Sequence, residues 1–326
     1  MPQKGEFIKI TITARNFSAG DNAAVKFLIS KGYEINDLSA ESFGTGTPEE
    51  VIADAVDNAD AVIAGLEPIG EKVFSKNPNL KIVSKRSIGY DTLDLEACRR
   101  HSITAARAAG TVEGAVAEHV MAFILYFARN IHTQNASMHR GEWVRTMSCG
   151  AKSRTLGLVG FGGIGKEIAA RAVPFGMNVI YSCRHPKEEW EHEHGVHYRS
   201  MDELLSESDF ISVNVPLTDE TRGMFGEKEF SAMKKECVFI NIARSQVVDV
   251  NALKNALDSG RIKGACIDVF DSEPCTDSPL IHCENAILTP HTAPFTEENF
   301  IGMNMRAAMN ADDFFNGILV EKYRLI

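Results

Sequence analysis

Residues 155–184, TLGLVGFGGIGKEIAARAVPFGMNVIYSCR, admit few local folds. Thr155 to Val159 is a short apolar run of strand type. It breaks into Gly160-Phe161-Gly162-Gly163-Ile164-Gly165, Lys166 to Val173 continues with helical spacing, and Met177 to Tyr181 is a second apolar run. Strand, glycine turn, helix, strand is the order of a dinucleotide-binding βαβ unit. Gly160 suits the tight turn, Gly162 the approach of a pyrophosphate, and Gly165 the close packing of helix on strand. The helix start adds free N–H groups and a partial positive charge for phosphates. A glycine turn of purely steric origin, or a Rossmann protein built for S-adenosylmethionine or a flavin, are the alternatives.

The 326-residue chain is long enough for two domains. Its net charge of −10, with no basic run interleaved with aromatics, argues against nucleic acid or an anionic membrane as partner. Seven scattered cysteines with no C-x-x-C pair read as reduced thiols, neither a disulfide framework nor a metal site. The first residues lack the apolar core of a signal peptide, and the most apolar stretch, Ala115 to Ala128, carries Glu118 and His119. A cytoplasmic protein with no membrane partner is expected.

Strand and helix alternate from Phe7 to Ala106, with strands at Phe7–Ile12, Tyr33–Leu38, Ala59–Ala64, Leu80–Ser84 and Ile103–Ala106. Helices are predicted over Asp21–Lys31 and Pro48–Val56, the latter capped by Thr47 with Glu49 and Glu50 in its first turn. After Ala109–Val112, a helix from Glu113 to Asn130 is apolar around most of its circumference, which suits burial between domains or subunits and suggests a homodimer. A second alternation places strands at 155–159, 177–182, 209–215, 236–242, 264–269 and 286–288. Helix Asn251–Ser259 ends at Gly260, and Glu297–Asn316 is a terminal amphipathic helix. The expected fold is α/β with two doubly wound parallel-sheet domains: a flavodoxin-like substrate domain, 1–108 plus 297–326, and a Rossmann dinucleotide-binding domain, 109–296.

Three later segments end predicted strands on polar residues, where ligands of open α/β sheets bind. Arg244 follows Phe239-Ile240-Asn241-Ile242-Ala243, and its planar fork suits a carboxylate. Asp268 ends a strand and Glu273 precedes Pro274 in the turn beyond it; His291 follows Pro290. Each alone is more often structural: a salt bridge, solvated turn acids, a buried histidine. Together they form a reaction site in which histidine gives a proton to a carbonyl as hydride arrives, a carboxylate orients the ring, and arginine holds the substrate.

The chain resembles the D-2-hydroxyacid dehydrogenase family over nearly its full length. The matching motifs are Gly160-x-Gly162-x-x-Gly165, Pro216-Leu217-Thr218-Asp219-Glu220-Thr221, Asn241-x-Ala243-Arg244, Asp268-Val269-Phe270-x-x-Glu273-Pro274 and Thr289-Pro290-His291. The resemblance implies Arg244 as binder of the substrate carboxylate, Glu273 as partner of the histidine, His291 as general acid/base and Asp268 near the nicotinamide amide. It implies cofactor contacts at Gly160, Gly162, Gly163, Ile164, Gly165, Val215, Pro216, Thr221, Ile242, Ala243, Asp268 and His291. Ser87, Ile88 and Gly89 look like the family's substrate loop, and Val116-Ala117-Glu118 like its interdomain helix start.

Two departures stand out. Ser245 follows the arginine where the family usually has glycine. Members preferring NAD carry an acid about twenty residues after the glycine loop, whereas here Tyr181-Ser182-Cys183-Arg184-His185 holds none. Ser182 and Arg184 therefore point to NADP(H) over NAD(H). Lys85, Arg86 and Arg145 are candidates to assist an anionic substrate, yet Glu67 sits where phosphoglycerate enzymes tend to place a base. The expected substrate is a small 2-keto acid such as glyoxylate or hydroxypyruvate; phosphoglycerate dehydrogenase, formate or phosphite oxidation, and a non-catalytic dinucleotide sensor are the alternatives. Glu191-His192-Glu193-His194-Gly195-Val196-His197 mimics a metal cluster but reads as a polar surface loop, so no metal is expected.

Overall fold

In the computed structural model, which describes residues 7–19, 22–41 and 43–326, the alternating apolar runs become two sheets in which every paired strand is parallel. The chain divides into two units, Met1–Val112 with Glu297–Ile326, and Glu113–Thr296.

In the first unit, β1 (Lys9–Ile12), α1 (Ala23–Ser30), β2 (Glu34–Asp37), α2 (Glu49–Val56), β3 (Ala61–Ala64), α3 (Glu71–Lys76), β4 (Ile82–Lys85), α4 (Leu95–Arg100) and β5 (Thr104–Arg107) follow one another. Asp21, the expected start of the first helix, lies outside the described residues. The sheet order β2-β1-β3-β4-β5 is the flavodoxin-like winding, reversing between β1 and β3. All four residues of β3 and of β4 are buried, so these strands read as continuous runs rather than alternations. Ser84 and Lys85, at the end of β4, are the exceptions to that apolar rule. Thr47 does not cap α2: Pro48 stands at the N-cap, and the Thr47 hydroxyl accepts a 2.9 Å bond from Gly44 N–H instead. The last long helix, α12 (Glu297–Phe315) in the numbering completed below, packs on α1 and β4. Ser84 Oγ donates to Ala307 O (2.9 Å) and Tyr33 to Asp312 (2.8 Å).

The second unit begins with α5 (Glu113–Ala128) and α6 (Ile131–His139). Then come β6 (Thr155–Val159), α7 (Gly163–Ala172), β7 (Asn178–Ser182), α8 (Glu188–His194), β8 (Val196–Tyr198), α9 (Met201–Glu207) and β9 (Phe210–Val213). It closes with α10 (Glu227–Ala232), β10 (Val238–Asn241), α11 (Val250–Asp258), β11 (Gly264–Ile267) and β12 (Ala286–Leu288). The order β12-β11-β10-β9-β6-β7-β8 is the Rossmann winding with a seventh strand, and its reversal falls between β6 and β9. Both expected fold types are therefore present.

The expected polar loop at 191–197 is in fact α8 leading into edge strand β8. Tyr181 knits it to the sheet: its hydroxyl donates to Glu191 (2.8 Å) and accepts from Lys187 N–H (2.7 Å). His194 stacks on Trp190 at 3.8 Å, which explains a histidine there without a metal. Among the described residues no group of three His, Cys, Asp or Glu side chains is placed to hold a metal, and no helix is long and apolar enough to cross a membrane.

Candidate active site

The glycines after β6 have different reasons to be there. Gly160 has φ +95°, and a Cβ on it would stand 2.9 Å from the Asn214 carbonyl carbon at the end of β9. A Cβ on Gly165 would stand 2.6 Å from Gly160 O. These two let α7 and the β9 loop close on the turn. A Cβ on Gly162 would meet nothing within 4 Å. Exposed Gly162 thus leaves open space before the start of α7, where the N-cap makes no side-chain hydrogen bond, while a Cβ on exposed Gly163 would stand 3.0 Å from Glu113 Cγ and Ile164 is half-buried. A small Gly162 is superfluous for the fold and suited to a pyrophosphate lying against the helix start, so the residues fit a dinucleotide.

At the end of β7, Ser182 is half-buried and Arg184 projects outward, 3.6 Å from Glu220 with both side chains 76% exposed. Val215 is half-buried and Pro216 exposed; Thr221 spends its hydroxyl on Pro216 O (2.6 Å) and on Thr218 N–H (2.8 Å), closing that turn.

Beyond β10, buried Asn241 accepts from Ala243 N–H and donates to Arg244 O, both at 3.0 Å. This bend buries Ile242 and Ala243 and turns Arg244 out of the sheet, its guanidinium 2.7 Å from Ala243 O.

The ends of β11 and β12 meet in one network. Asp268 is 1% exposed, and its carboxylate accepts from Thr289 Oγ1 (2.5 Å), Thr292 N–H (2.8 Å) and Ala293 N–H (2.9 Å). These donors flank His291, whose φ of +53° lies in the left-handed region, uncommon for a residue other than glycine. The ring Nδ1 is 2.7 Å from Glu273 Oε2, while Glu273 Oε1 accepts from Phe270 N–H at 3.2 Å. Burial pushes the Glu273 carboxyl up, but the His291 bond and charge, Phe270 N–H and Arg244 outweigh it and hold the group below its usual value. From α5, His119 Nε2 reaches Thr289 Oγ1 at 3.3 Å and lies 3.8 Å from Asp268, with its ring edge-on to Phe123. Burial lowers the His119 imidazole, against the pull of Asp268.

The second unit therefore gathers Arg244, Asp268, Glu273 and His291. Ser87, Ile88 and Gly89 belong to the first unit, just past β4, where Ser87 Oγ donates to Gly89 O at 2.7 Å. Sequence reasoning passed over Asn241, Thr289 and His119. Asn241 and Thr289 stood inside quoted motifs, and a histidine in an otherwise apolar helix was the signal for the third.

A family model for the NAD-binding domain of D-isomer-specific 2-hydroxyacid dehydrogenases matches residues 121–293, just over half of the chain. The chain belongs to that family. This dehydrogenase is 38% identical over 280 residues to the glyoxylate reductase of Thermococcus litoralis, covering 83% of this chain and 85% of that protein. Its structure is similar to that of a glyoxylate reductase from Paecilomyes thermophila, with TM-score 0.84 and 27% identity over 100% of this chain and 98% of the other. It is also similar to D-lactate dehydrogenase from Aquifex aeolicus, solved with NAD and lactic acid, with TM-score 0.85 and 26% identity over 97% and 98% of the two chains. The dehydrogenase is thus an NAD(P)-dependent oxidoreductase acting on a CH–OH group.

Proposed function

We propose that the enzyme reduces a small 2-keto acid, of the glyoxylate or hydroxypyruvate kind, to the D-2-hydroxy acid with NADPH. The observation that carries this reading is the 2.7 Å pairing of Glu273 with a His291 whose backbone is fixed on both flanks by Asp268. The bound nicotinamide supplies the hydride. His291 delivers a proton from Nε2 to the carbonyl oxygen; Glu273 on Nδ1 stabilises the imidazolium and fixes the ring. Arg244 binds the substrate carboxylate, which Ser87, Ile88 and Gly89 receive through backbone N–H groups. Gly160, Gly162, Gly163, Ile164 and Gly165 hold the pyrophosphate, while Val215, Pro216, Thr221, Ile242, Ala243 and Asp268 line the remainder of the dinucleotide site. Thr221 acts through its turn, its hydroxyl being already bonded.

Ser182 and Arg184 select NADP(H). Support comes from the absence of any carboxylate between Ser182 and Lys187 and from the exposed guanidinium at Arg184. A homodimer is also proposed, supported by Trp143 and Met147, 80% and 96% exposed on a segment without helix or strand. Sedimentation equilibrium at micromolar concentration tests the dimer, with a monomer overturning it. A panel of glyoxylate, hydroxypyruvate, pyruvate and 3-phosphohydroxypyruvate with NADPH and NADH tests the function. Turnover confined to the phosphorylated acid refutes the substrate assignment, and nucleotide binding without turnover refutes catalysis.

A further inference from the structure

Lys85 ends β4 with no exposed surface, although lysine ammonium groups are costly to bury. Its Nζ donates to Gly65 O, in the loop after β3, and to Thr92 Oγ1 at 2.9 Å, in the loop after β4. The surrounding charges are Glu67 on the first loop, Asp91 on the second and Arg86 beside it on β4's exit. Burial pulls the ammonium down to about 8, while Glu67 and Asp91 hold it up. Glu67 is itself fully buried, taking hydrogen bonds from the Thr13 hydroxyl and from Gly65 N–H (2.9 Å). Neither side chain reaches solvent, so Lys85 is no ligand for a dissolved anion and Glu67 no surface charge to repel one.

What Lys85 does reach is the loop Arg86–Thr92, through Thr92 Oγ1. The same loop is held at two other points. Arg107 points NH1 at Ile88 O (3.4 Å) and lies over the Tyr90 ring, while Arg86 donates to Arg15 O (2.7 Å) and stacks on Phe300. A loop offering backbone N–H groups to a carboxylate loses that function if its amides fan out, and an ångström of misplacement costs affinity steeply. We infer that Lys85, balanced by Glu67, is a positioning residue that ties the loops after β3 and β4 together and so sets the carboxylate-binding geometry of Ser87, Ile88 and Gly89. The inference rests on the assignment of those three residues to the substrate carboxylate.

The test compares Lys85→Met and Lys85→Arg in the full-length chain, with glyoxylate and NADPH as probes and amide hydrogen exchange of the substrate-free protein as a second readout. Lys85→Met is expected to raise KM for glyoxylate about tenfold with kcat within about twofold. It should also speed exchange at residues 65–67 and 86–92, and Lys85→Arg should restore most of both. Should Lys85→Met fail to fold, Thr92→Val removes one of the two bonds and should move both readouts the same way by less. Unchanged exchange in a folded Lys85→Met protein overturns the tie itself. Faster exchange with an unchanged KM overturns the placement of the substrate carboxylate at Ser87–Gly89, and the inference with it. Equal falls in kcat and kcat/KM with no change in KM would assign Lys85 to the chemical step and also overturn it.

Discussion

His291 Nδ1 and Glu273 Oε2 stand 2.7 Å apart, joining the turn after β11 to the turn after β12. Replacing His291 with alanine removes the proposed proton donor and leaves the glycine turn at Gly160–Gly165 untouched. Loss of kcat by about 100- to 10,000-fold is expected, with the dissociation constant of NADPH, measured by fluorescence titration, nearly unchanged. Near-native turnover would reject the acid/base role. Glu273→Gln keeps the shape but removes the charged partner of the ring, so kcat should fall while the NADPH dissociation constant holds. In the native protein the depressed Glu273 carboxyl contributes stability above the ordinary carboxylate value of 4.5, lost as pH falls through its folded value.

Asp268 tests the origin of the His291 geometry. With alanine there, Thr292 N–H and Ala293 N–H lose their acceptor, a cost of roughly 1–3 kcal/mol for each left buried and unpaired, while Thr289 Oγ1 keeps His119 Nε2 at 3.3 Å. Asp268→Ala is expected to lower both the urea midpoint and kcat, whereas a residue serving only the nicotinamide amide would weaken cofactor binding and leave the midpoint alone. Differential unfolding with and without NADPH separates the two.

The glycine turn divides fold from function by position. Gly162→Ala adds a methyl to open space, so the midpoint should hold while NADPH affinity falls by about tenfold or more, as expected for a backbone that must approach a pyrophosphate. Gly165→Ala pushes a methyl to 2.6 Å from Gly160 O and should destabilise the protein before any ligand is added. Equal midpoints for the two variants would contradict this division.

Cofactor choice is tested at the end of β7. Arg184→Ala should lower kcat/KM for NADPH by about tenfold, the value of one charge-assisted contact, and barely alter that for NADH. Adding Ser182→Asp should reverse the preference. A parallel loss for both nucleotides would place Arg184 on the adenine.

His119 gives the dehydrogenase a sensitivity to mild acid. Burial lowers its imidazole below the ordinary value of 6.5. The unfolded chain binds a proton near that pH while the folded protein still resists it, so stability drops as pH falls below 6.5. His119→Phe should shrink the difference between urea midpoints measured at pH 7.5 and 5.5. An unchanged difference assigns the acid sensitivity to other groups.

Short continuous apolar runs carried over to the structure. Ala61–Ala64, Thr155–Val159 and Ala286–Leu288 are strands inside their expected runs, and the glycine turn stands where the βαβ reading puts it. The failures have physical causes. Val196–Tyr198 is a three-residue edge strand with His197 and Tyr198 exposed, so it bears no apolar signature. Ile131–His139 is a mostly polar helix whose only buried residue is Ser137. Thr47 is a good cap by type, but Gly44 N–H claims its oxygen. Sequence motifs nominated Asp268, Glu273 and His291, yet nothing local says that Asp268 is consumed by the backbone around His291. From sequence, Lys85 and Glu67 read as groups facing an anionic substrate, because their burial is set by neighbours far along the chain.

A histidine whose neighbours on either side are gripped by one buried carboxylate has no hinge of its own. Asp268, Glu273, His119 and His291 are joined through Thr289 and the adjoining backbone into one hydrogen-bonded network. Under the proposed role, the position of the proton that His291 holds is set when the chain folds.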